Sequence, residues 1–304
     1  MLRWRIISAV VIIAIFAACC WLDLTYPLAG IGGPWLMPLG LLVTVLATAE
    51  VCSLIFRRLT RLHLVMLTIG NVLIFSGAAL PGYIPALEND SAMGHLGIPM
   101  MLFSLATCIA FGEQMRTYRS GEQAISRLGR TVLALAYAGL LMSFLVALRL
   151  LGENPLGFVA LASMIIVVKA SDIGAYTLGR MFGGRIFGQA RLAPVLSPKK
   201  TIEGCLGGIL FGCLGSFVSF YVLGPIIMGE GFSMPPLWAW LAYGVLLTIA
   251  GMFGDLAESL LKREAGAKDS SRWLPGLGGV LDLLDSILFA APLAYGMWAT
   301  GILG

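Results

Sequence analysis

Hydrophobic residues occur along this chain in long runs, separated by short polar stretches rich in proline and glycine. A helix of about 20 apolar residues crosses a hydrocarbon core roughly 30 Å thick. Within lipid such a run has to be helical, because every backbone polar group must find its partner inside the same segment. The pattern predicts nine transmembrane helices, at residues 5–24, 35–56, 62–80, 96–113, 130–150, 156–178, 204–228, 237–261 and 279–303.

The composition supports this interpretation. Of the 304 residues, 59% are hydrophobic and 12% are charged, whereas soluble domains are about half apolar and about a quarter charged. The net charge of +4 is small and no separate basic domain exists, so we expect no nucleic-acid partner. The predicted fold class is all-α, a polytopic transmembrane helical bundle.

Lysine and arginine lie mostly on one side of the nine predicted helices. With the N-terminus in the cytoplasm, 18 of the 20 Lys and Arg residues fall in cytoplasmic segments. Acidic residues occupy the external loops instead: Asp23, Glu88, Asp90, Glu153 and Glu230. Because cytoplasmic loops carry an excess of positive residues, we predict a cytoplasmic N-terminus and an external C-terminus.

The first hydrophobic run follows Arg3 and Arg5 and could also be a secretory signal peptide. Many further runs follow it, so we expect a first transmembrane helix that is kept. A kept helix and short loops are typical of a multi-pass protein of the bacterial inner membrane.

Polar residues at membrane depth are concentrated in the second half of the chain. We predict an N-terminal transmembrane region, residues 1–155, and a C-terminal catalytic transmembrane region, residues 156–304. Near the end of the sixth run, Lys169 and Asp172 are three residues apart and share one helix face. Charges inside a transmembrane helix usually face a cavity or a partner. A Lys–Asp pair that only orders the bundle stays an alternative.

A basic loop precedes the seventh run. Its residues Ser197, Lys199, Lys200 and Thr201 lead into a helix start, where backbone N–H groups favour phosphate. The alternative is a pair of stop-transfer lysines with Ser197 or Thr201 as a helix cap.

The eighth run ends in a polar stripe of Asp255, Glu258, Ser259 and Lys262, whose offsets of three, four and seven place them on one helix face. Three charges on one stripe of an apolar helix are hard to explain by packing alone.

The ninth run begins with two carboxylates, Asp282 and Asp285, behind a glycine-rich turn at Pro275–Gly279. Glycines let the backbone turn tightly and approach a ligand. Two carboxylates without a basic residue in their own helix favour a divalent cation, and the lack of nearby His or Cys favours Mg²⁺ over Zn²⁺. The helix dipole, which attracts acidic residues to a helix start, stays an alternative.

Together these segments offer four carboxylates, at Asp172, Asp255, Asp282 and Asp285, and a surplus of lysine and arginine. Carboxylates that hold Mg²⁺ and cations that hold phosphate oxygens are what a phosphoryl or nucleotidyl transfer requires.

The order and spacing of these residues resemble the signature of the phosphatidate cytidylyltransferases, also called CDP-diacylglycerol synthases. The resemblance covers about residues 160–290 and is carried by Asp172-Ile-Gly-Ala-Tyr176, Ser197-Pro-Lys-Lys-Thr201-Ile-Glu203-Gly204, Ser259-Leu-Leu-Lys262-Arg263, Lys268-Asp269, Pro275-Gly276-Leu277-Gly278-Gly279 and Asp282-Leu-Leu-Asp285-Ser286. It implies a membrane enzyme that converts CTP and phosphatidic acid to CDP-diacylglycerol and pyrophosphate, with Mg²⁺ as cofactor. A homodimer is a candidate assembly.

The resemblance also implies roles for individual residues. Asp282 and Asp285 would bind the metal with Asp255 nearby, and Lys262 would act with them at the reaction centre. The residues expected to bind the nucleotide or to line its polar site are Ser197, Lys199, Lys200, Thr201, Glu203, Ser259, Arg263, Lys268, Asp269 and Asp172.

Three positions depart from the family's pattern. Leu277 and Leu283 stand where the family usually has His and Arg, and Ser171 stands where it commonly has Asn. The carboxylates and the basic loop remain, so the expected reaction class is unchanged and the lipid substrate stays open. The functional alternatives are a CTP-dependent lipid-alcohol kinase and a membrane transporter.

Overall fold

The structure is a computed structural model that describes residues 2–28, 32–56, 59–84, 87, 94–119, 123–152, 154–188, 191–271, 273–274 and 276–303. Some residues used in the sequence analysis lie outside this description, namely Glu88, Asp90, Glu153, Pro275 and the side chains of Arg3, Arg5 and Glu230.

Helices account for most of the described chain. They are α1 (Leu2–Thr25), α2 (Met37–Ile55), α3 (Arg61–Gly77), α4 (Leu80–Tyr83), α5 (Gly97–Thr117), α6 (Ala124–Leu135), α7 (Leu141–Arg149), α8 (Asn154–Phe182), α9 (Ile202–Val218), α10 (Gly224–Met228), α11 (Leu237–Glu264) and α12 (Leu281–Ala299). Short π-helical turns at Ala136–Leu140 and Ser219–Leu223 join α6 to α7 and α9 to α10, and a 3₁₀ turn spans Gly229–Gly231. The polytopic all-α prediction is confirmed.

Eight helical segments among the described residues are long and apolar enough to cross a membrane. They are Ile6–Thr25, Met37–Ile55, Gly97–Thr117, Ala124–Arg149, Asn154–Phe182, Ile202–Met228, Leu237–Glu264 and Leu281–Ala299. The ninth predicted span corresponds to α3, whose 17 residues extend roughly 26 Å at about 1.5 Å per residue. That length is at the lower limit for a transmembrane helix. The sidedness of the termini and the type of membrane stay predictions.

The chain forms two compact units. The first comprises Met1–Leu150 and Glu264–Asp282, and the second comprises Leu151–Arg263 and Leu283–Gly304. The division into residues 1–155 and 156–304 stays a prediction.

In the first unit Arg149, at the end of the fifth predicted span, forms a buried ion pair with Asp23. Arg149 Nε donates to Asp23 Oδ2 over 2.6 Å, and the backbone N–H of Gly33 donates to the same oxygen over 3.1 Å. Both charged side chains are almost fully buried. Such a pair is tolerated in the interior because each charge has a partner and further hydrogen bonds.

In the second unit, glycines let α9 pack closely against α8 and α11. A Cβ atom on Gly207 would lie 2.6 Å from the Cβ of Leu178, and one on Gly244 would lie 2.8 Å from the Cα of Cys213. Small residues at such contacts let helix backbones approach in lipid, where van der Waals packing replaces the hydrophobic effect.

A two-stranded antiparallel sheet interrupts the helical pattern between α8 and α9. Strand β1 (Arg191–Ala193) pairs with β2 (Ser197–Thr201), so that Arg191 lies opposite Thr201 and Ala193 opposite Ser197. The hydrophobic pattern predicts a loop for this segment. Its polar composition places it outside the apolar spans, where water can satisfy the free strand edges.

Candidate active site

Three carboxylates meet in the second unit, two from α11 and one from α12. One carboxylate oxygen each of Asp255, Glu258 and Asp285 lies within 4.8 Å of the other two. Glu258 is 1% exposed and Asp285 is 6% exposed. Like charges this close in a buried setting repel, and neighbouring cations offset that repulsion.

A glycine allows the two helices that carry these carboxylates to approach each other. A Cβ atom on Gly254 would overlap the carbonyl oxygen of Asp285 and lie 3.0 Å from the Cβ of Phe289. Since Gly254 directly precedes Asp255, the close helix contact is adjacent to the carboxylate group.

Two lysines supply part of the compensating charge. Lys200 Nζ lies 2.5 Å from Asp255 Oδ2, and Lys262 Nζ donates to Glu258 Oε2 over 2.6 Å. The predicted stripe on α11 therefore brings Glu258 and Lys262 together one turn apart, while Lys200 comes from the sheet. Three carboxylates against two lysines leave an excess of negative charge, which suits a bound cation.

Lys169 of α8 extends this polar region toward the start of α12. Its ammonium donates to Asp172 Oδ2 over 3.0 Å and to the backbone carbonyl of Leu283 over 3.3 Å. The i,i+3 pair predicted from the sequence is therefore formed. Lys169 also contacts a residue two positions before Asp285.

The sheet presents its two lysines differently. Lys200 is partly buried against Asp255, whereas Lys199 is exposed, in keeping with the alternation of side chains along a strand. The hydroxyl of Thr201 accepts a hydrogen bond from the backbone N–H of Gly204 over 3.1 Å and caps α9. This is the capping role that the sequence analysis left open for Ser197 or Thr201.

Other predicted binding residues in this unit make structural contacts. Arg263 Nε donates to the carbonyl of Leu196, in the turn of the sheet, over 3.4 Å. Glu203 Oε1 accepts from the backbone N–H groups of Gly184, Ile186 and Phe187. This carboxylate therefore braces the loop after α8. Ser259 is partly buried on α11.

The remaining predicted residues lie in the first unit, in residues 268–280, here named the glycine-rich loop, and at the start of α12. Gly276 and Gly278 have positive φ angles of 81° and 97°, and the backbone N–H and C=O of Leu274 bond Gly278. The predicted tight turn is therefore formed. Lys268 and Asp269 are exposed in this loop.

Asp282 forms hydrogen bonds with the glycine-rich loop. Its Oδ2 accepts from the backbone N–H of Gly279 over 2.8 Å, and from the backbone N–H and hydroxyl of Ser270 over 3.0 and 2.7 Å. Among the described residues, the three-carboxylate group contains Glu258 and does not contain Asp282. The metal-binding role of Asp282 stays a prediction.

Glu50 has no predicted role, although an acidic residue inside an apolar run is typical of a functional site. Glu50 lies in α2 and is 1% exposed. Its carboxylate accepts hydrogen bonds from four groups of the glycine-rich loop and the start of α12.

Comparison with known proteins places the chain in a family. A model described as "Cytidylyltransferase family" matches residues 3–300. A phosphatidate cytidylyltransferase of Brucella suis is 40% identical over 161 residues, which are 53% of this chain and 54% of that protein. One of Helicobacter pylori is 46% identical over 136 residues, 44% of this chain and 45% of that protein. One of Staphylococcus haemolyticus is 27% identical over 292 residues, 96% of this chain and 97% of that protein.

The matched segment spans about half the length of the Brucella and Helicobacter relatives. The family model, by contrast, extends over nearly all of the residues, including every helix that carries the site. The chain therefore belongs to the cytidylyltransferase family.

Proposed function

We propose that this protein transfers the cytidylyl group of CTP to phosphatidic acid, giving CDP-diacylglycerol and pyrophosphate at the membrane. The observation that carries the proposal is the group of Asp255, Glu258 and Asp285, flanked by Lys200 and Lys262, in a chain of the cytidylyltransferase family. The named relatives with this reaction in their names support the same choice.

The carboxylate group fits a divalent cation. Its ligands are all oxygen, the arrangement that Mg²⁺ prefers, and two of the three residues are buried. Asp255, Glu258 and Asp285 would hold the ion, and Asp282 is a further candidate from the sequence. A bound Mg²⁺ would supply positive charge to the phosphate oxygens of CTP.

The chain's own residues contribute charge and alignment. Lys200 and Lys262 would exchange part of their contact with carboxylates for contact with the triphosphate, and Lys199 and Arg263 would add charge around it. Lys268 is a further candidate for the nucleotide from the family's sequence pattern. No protein nucleophile is needed, since a phosphate oxygen of phosphatidic acid attacks the α-phosphorus. The bond from the α-phosphorus to the bridging oxygen breaks, and pyrophosphate carries away the electron pair. Positioning and electrostatic stabilisation then provide the catalysis.

The family match favours this reaction over the two alternatives. A lipid-alcohol kinase would instead move the γ-phosphoryl group and release CDP. A transporter would not require a nucleotide. The fate of labelled phosphates distinguishes all three.

The test uses purified protein in detergent with Mg²⁺, CTP labelled at either the α- or the γ-phosphate, and either phosphatidic acid or, in a parallel reaction, a lipid alcohol such as diacylglycerol. We expect α-label in the lipid phase, γ-label in pyrophosphate, and neither after chelation of the metal. Transfer of γ-label to the lipid would indicate a kinase and contradict the proposal, as would the absence of any transfer by folded protein.

A further inference from the structure

Glu50 makes an unusually complete set of hydrogen bonds for an acidic residue in a membrane helix. Oε1 accepts from the backbone N–H of Val280 over 2.9 Å and from the hydroxyl of Ser271 over 2.6 Å. Oε2 accepts from the backbone N–H of Leu281 over 2.7 Å and lies 3.0 Å from the hydroxyl oxygen of Ser270, whose single proton it shares with Asp282. Each oxygen therefore accepts from one backbone N–H and contacts one hydroxyl.

The glycine-rich loop has no room for a side chain where it meets this carboxylate. A Cβ atom on Gly279 would lie 2.5 Å from both Glu50 oxygens and would overlap the hydroxyl of Ser270. The carboxylate thus occupies the space that any other residue at this position would fill. The Glu50 side chain therefore forms the contact between α2 and the loop.

One hydroxyl connects Glu50 to the predicted site. Ser270 Oγ lies 3.0 Å from Glu50 Oε2 and 2.7 Å from Asp282 Oδ2. The backbone N–H of Ser270 also donates to Asp282. Glu50, Ser270 and Asp282 therefore form one continuous network that holds both ends of the loop.

The free-energy cost of burying a charge indicates that this carboxylate has a specific role. A buried charge is costly unless hydrogen bonds compensate it, and charge-assisted bonds to backbone N–H groups are among the strong ones. An apolar residue would give α2 the same helix without that cost, but it would leave the N–H groups of Val280 and Leu281 buried and without this acceptor.

We infer that Glu50 is a positioning residue for nucleotide binding: it fixes the glycine-rich loop and the first turn of α12, so that Lys268, Asp269 and Asp282 are held for CTP. The inference rests on the proposed function. It concerns a residue of α2, far in sequence from the motifs that carry the family resemblance.

The test variant is Glu50→Gln, which keeps the shape of the side chain. An amide has one accepting oxygen, so in either orientation its NH₂ group faces the backbone N–H of Val280 or Leu281. We expect KM for CTP to rise about tenfold, the scale of one lost charge-assisted hydrogen bond. KM for phosphatidic acid should change much less, and amide hydrogen exchange should increase within residues 268–282.

The matched control is Glu113→Gln, which removes an acidic group of α5 that contacts His63 Nδ1 at 3.4 Å. KM for CTP should be unchanged in this variant. A merely structural role for Glu50 would lower kcat in proportion to the folded fraction and leave KM for CTP unchanged. That result, or unaltered exchange in residues 268–282, would overturn the inference.

The exchange measurement separates this inference from the proposed function. If wild-type protein transfers no label, the proposed reaction fails, while a local increase in exchange would still place Glu50 as the residue that holds the loop. If Glu50→Gln does not fold, Ser271→Ala removes one donor to Glu50 at 2.6 Å, together with the acceptor of the Trp273 N–H at 3.3 Å, and should produce a smaller rise in KM for CTP. No rise in that variant would contradict the inference.

Discussion

Lys199 and Lys200 are neighbours in sequence, yet their surroundings differ. Lys200 contacts Asp255 at 2.5 Å, while Lys199 is exposed on the opposite face of β2. The same role was predicted for both lysines, because side chains in a loop do not alternate between two faces as they do in a strand. The strand supplies the distinction.

Replacing each lysine separately tests this difference. Lys200→Gln leaves Asp255 without its cation, so we expect kcat/KM for CTP to fall roughly tenfold to a hundredfold, the range for a charge-assisted hydrogen bond. Lys199→Gln should cost several times less. Steady-state kinetics with purified protein measure both. A larger loss in Lys199→Gln would contradict the orientation of β2.

Leu277 occupies the tight turn of the glycine-rich loop, where its N–H donates to the carbonyl of Leu274 over 3.0 Å. The backbone conformation there is set by Gly276 and Gly278 and does not depend on the side chain at 277. We therefore expect Leu277→His to leave turnover unchanged or to raise it. A folded Leu277→His protein without activity would mean that the loop meets the nucleotide differently from the family's pattern.

For single residues, the sequence predicted contacts within one helix but not contacts between residues far apart in the chain. The spacing of Asp255, Glu258 and Lys262 along α11 predicted a shared helix face, and the 2.6 Å contact between Glu258 and Lys262 follows from it. Glu50 lies 220 residues before Ser270. No periodicity within one helix indicates a partner at that separation.

At the scale of helices, α11 and α12 are joined where Gly254 lies against the backbone of Asp285. The hydrophobic pattern predicted both helices and the carboxylates near their ends, but helix pairing depends on small residues and backbone shape that hydropathy does not report. Hydropathy also does not report the pairing of β1 with β2, so a loop was predicted there.

Gly254→Ala tests the helix contact. A methyl group there overlaps the carbonyl of Asp285, and such overpacking typically costs about 1–3 kcal/mol. We expect a lower thermal midpoint in detergent and at least a tenfold loss of kcat. Gly296→Ala, on α12 with nothing within 4 Å of the added atom, should keep the thermal midpoint and the kcat of the wild type. Equal behaviour of the two variants would contradict the close approach of α11 and α12.

At the scale of the whole molecule, the number of spans decides the topology. Eight helices meet the length of a span, and α3 has 17 residues. If α3 also crosses, the termini lie on opposite sides of the membrane, as the distribution of lysine and arginine predicts.

Reporter fusions measure this directly. We expect a reporter at the N-terminus to be active in the cytoplasm and one at the C-terminus to be active outside. A cysteine replacing Val195, which is 87% exposed in the turn of the sheet, should react with thiol reagents only from the cytoplasmic side. Termini on the same side would mean that α3 does not span.

The carboxylates of α11 and α12 form the proposed reaction centre, and the Mg²⁺ dependence of pyrophosphate release by Asp285→Asn measures their role. Asparagine keeps the shape of the side chain but removes the charge, so we expect turnover to fall by about a hundredfold or more, with folding intact and a higher Mg²⁺ requirement for any residual activity. Glu264→Gln, an exposed acid at the end of α11, should behave as wild type. Wild-type turnover and Mg²⁺ dependence in Asp285→Asn would contradict the assignment of the metal and of the reaction centre.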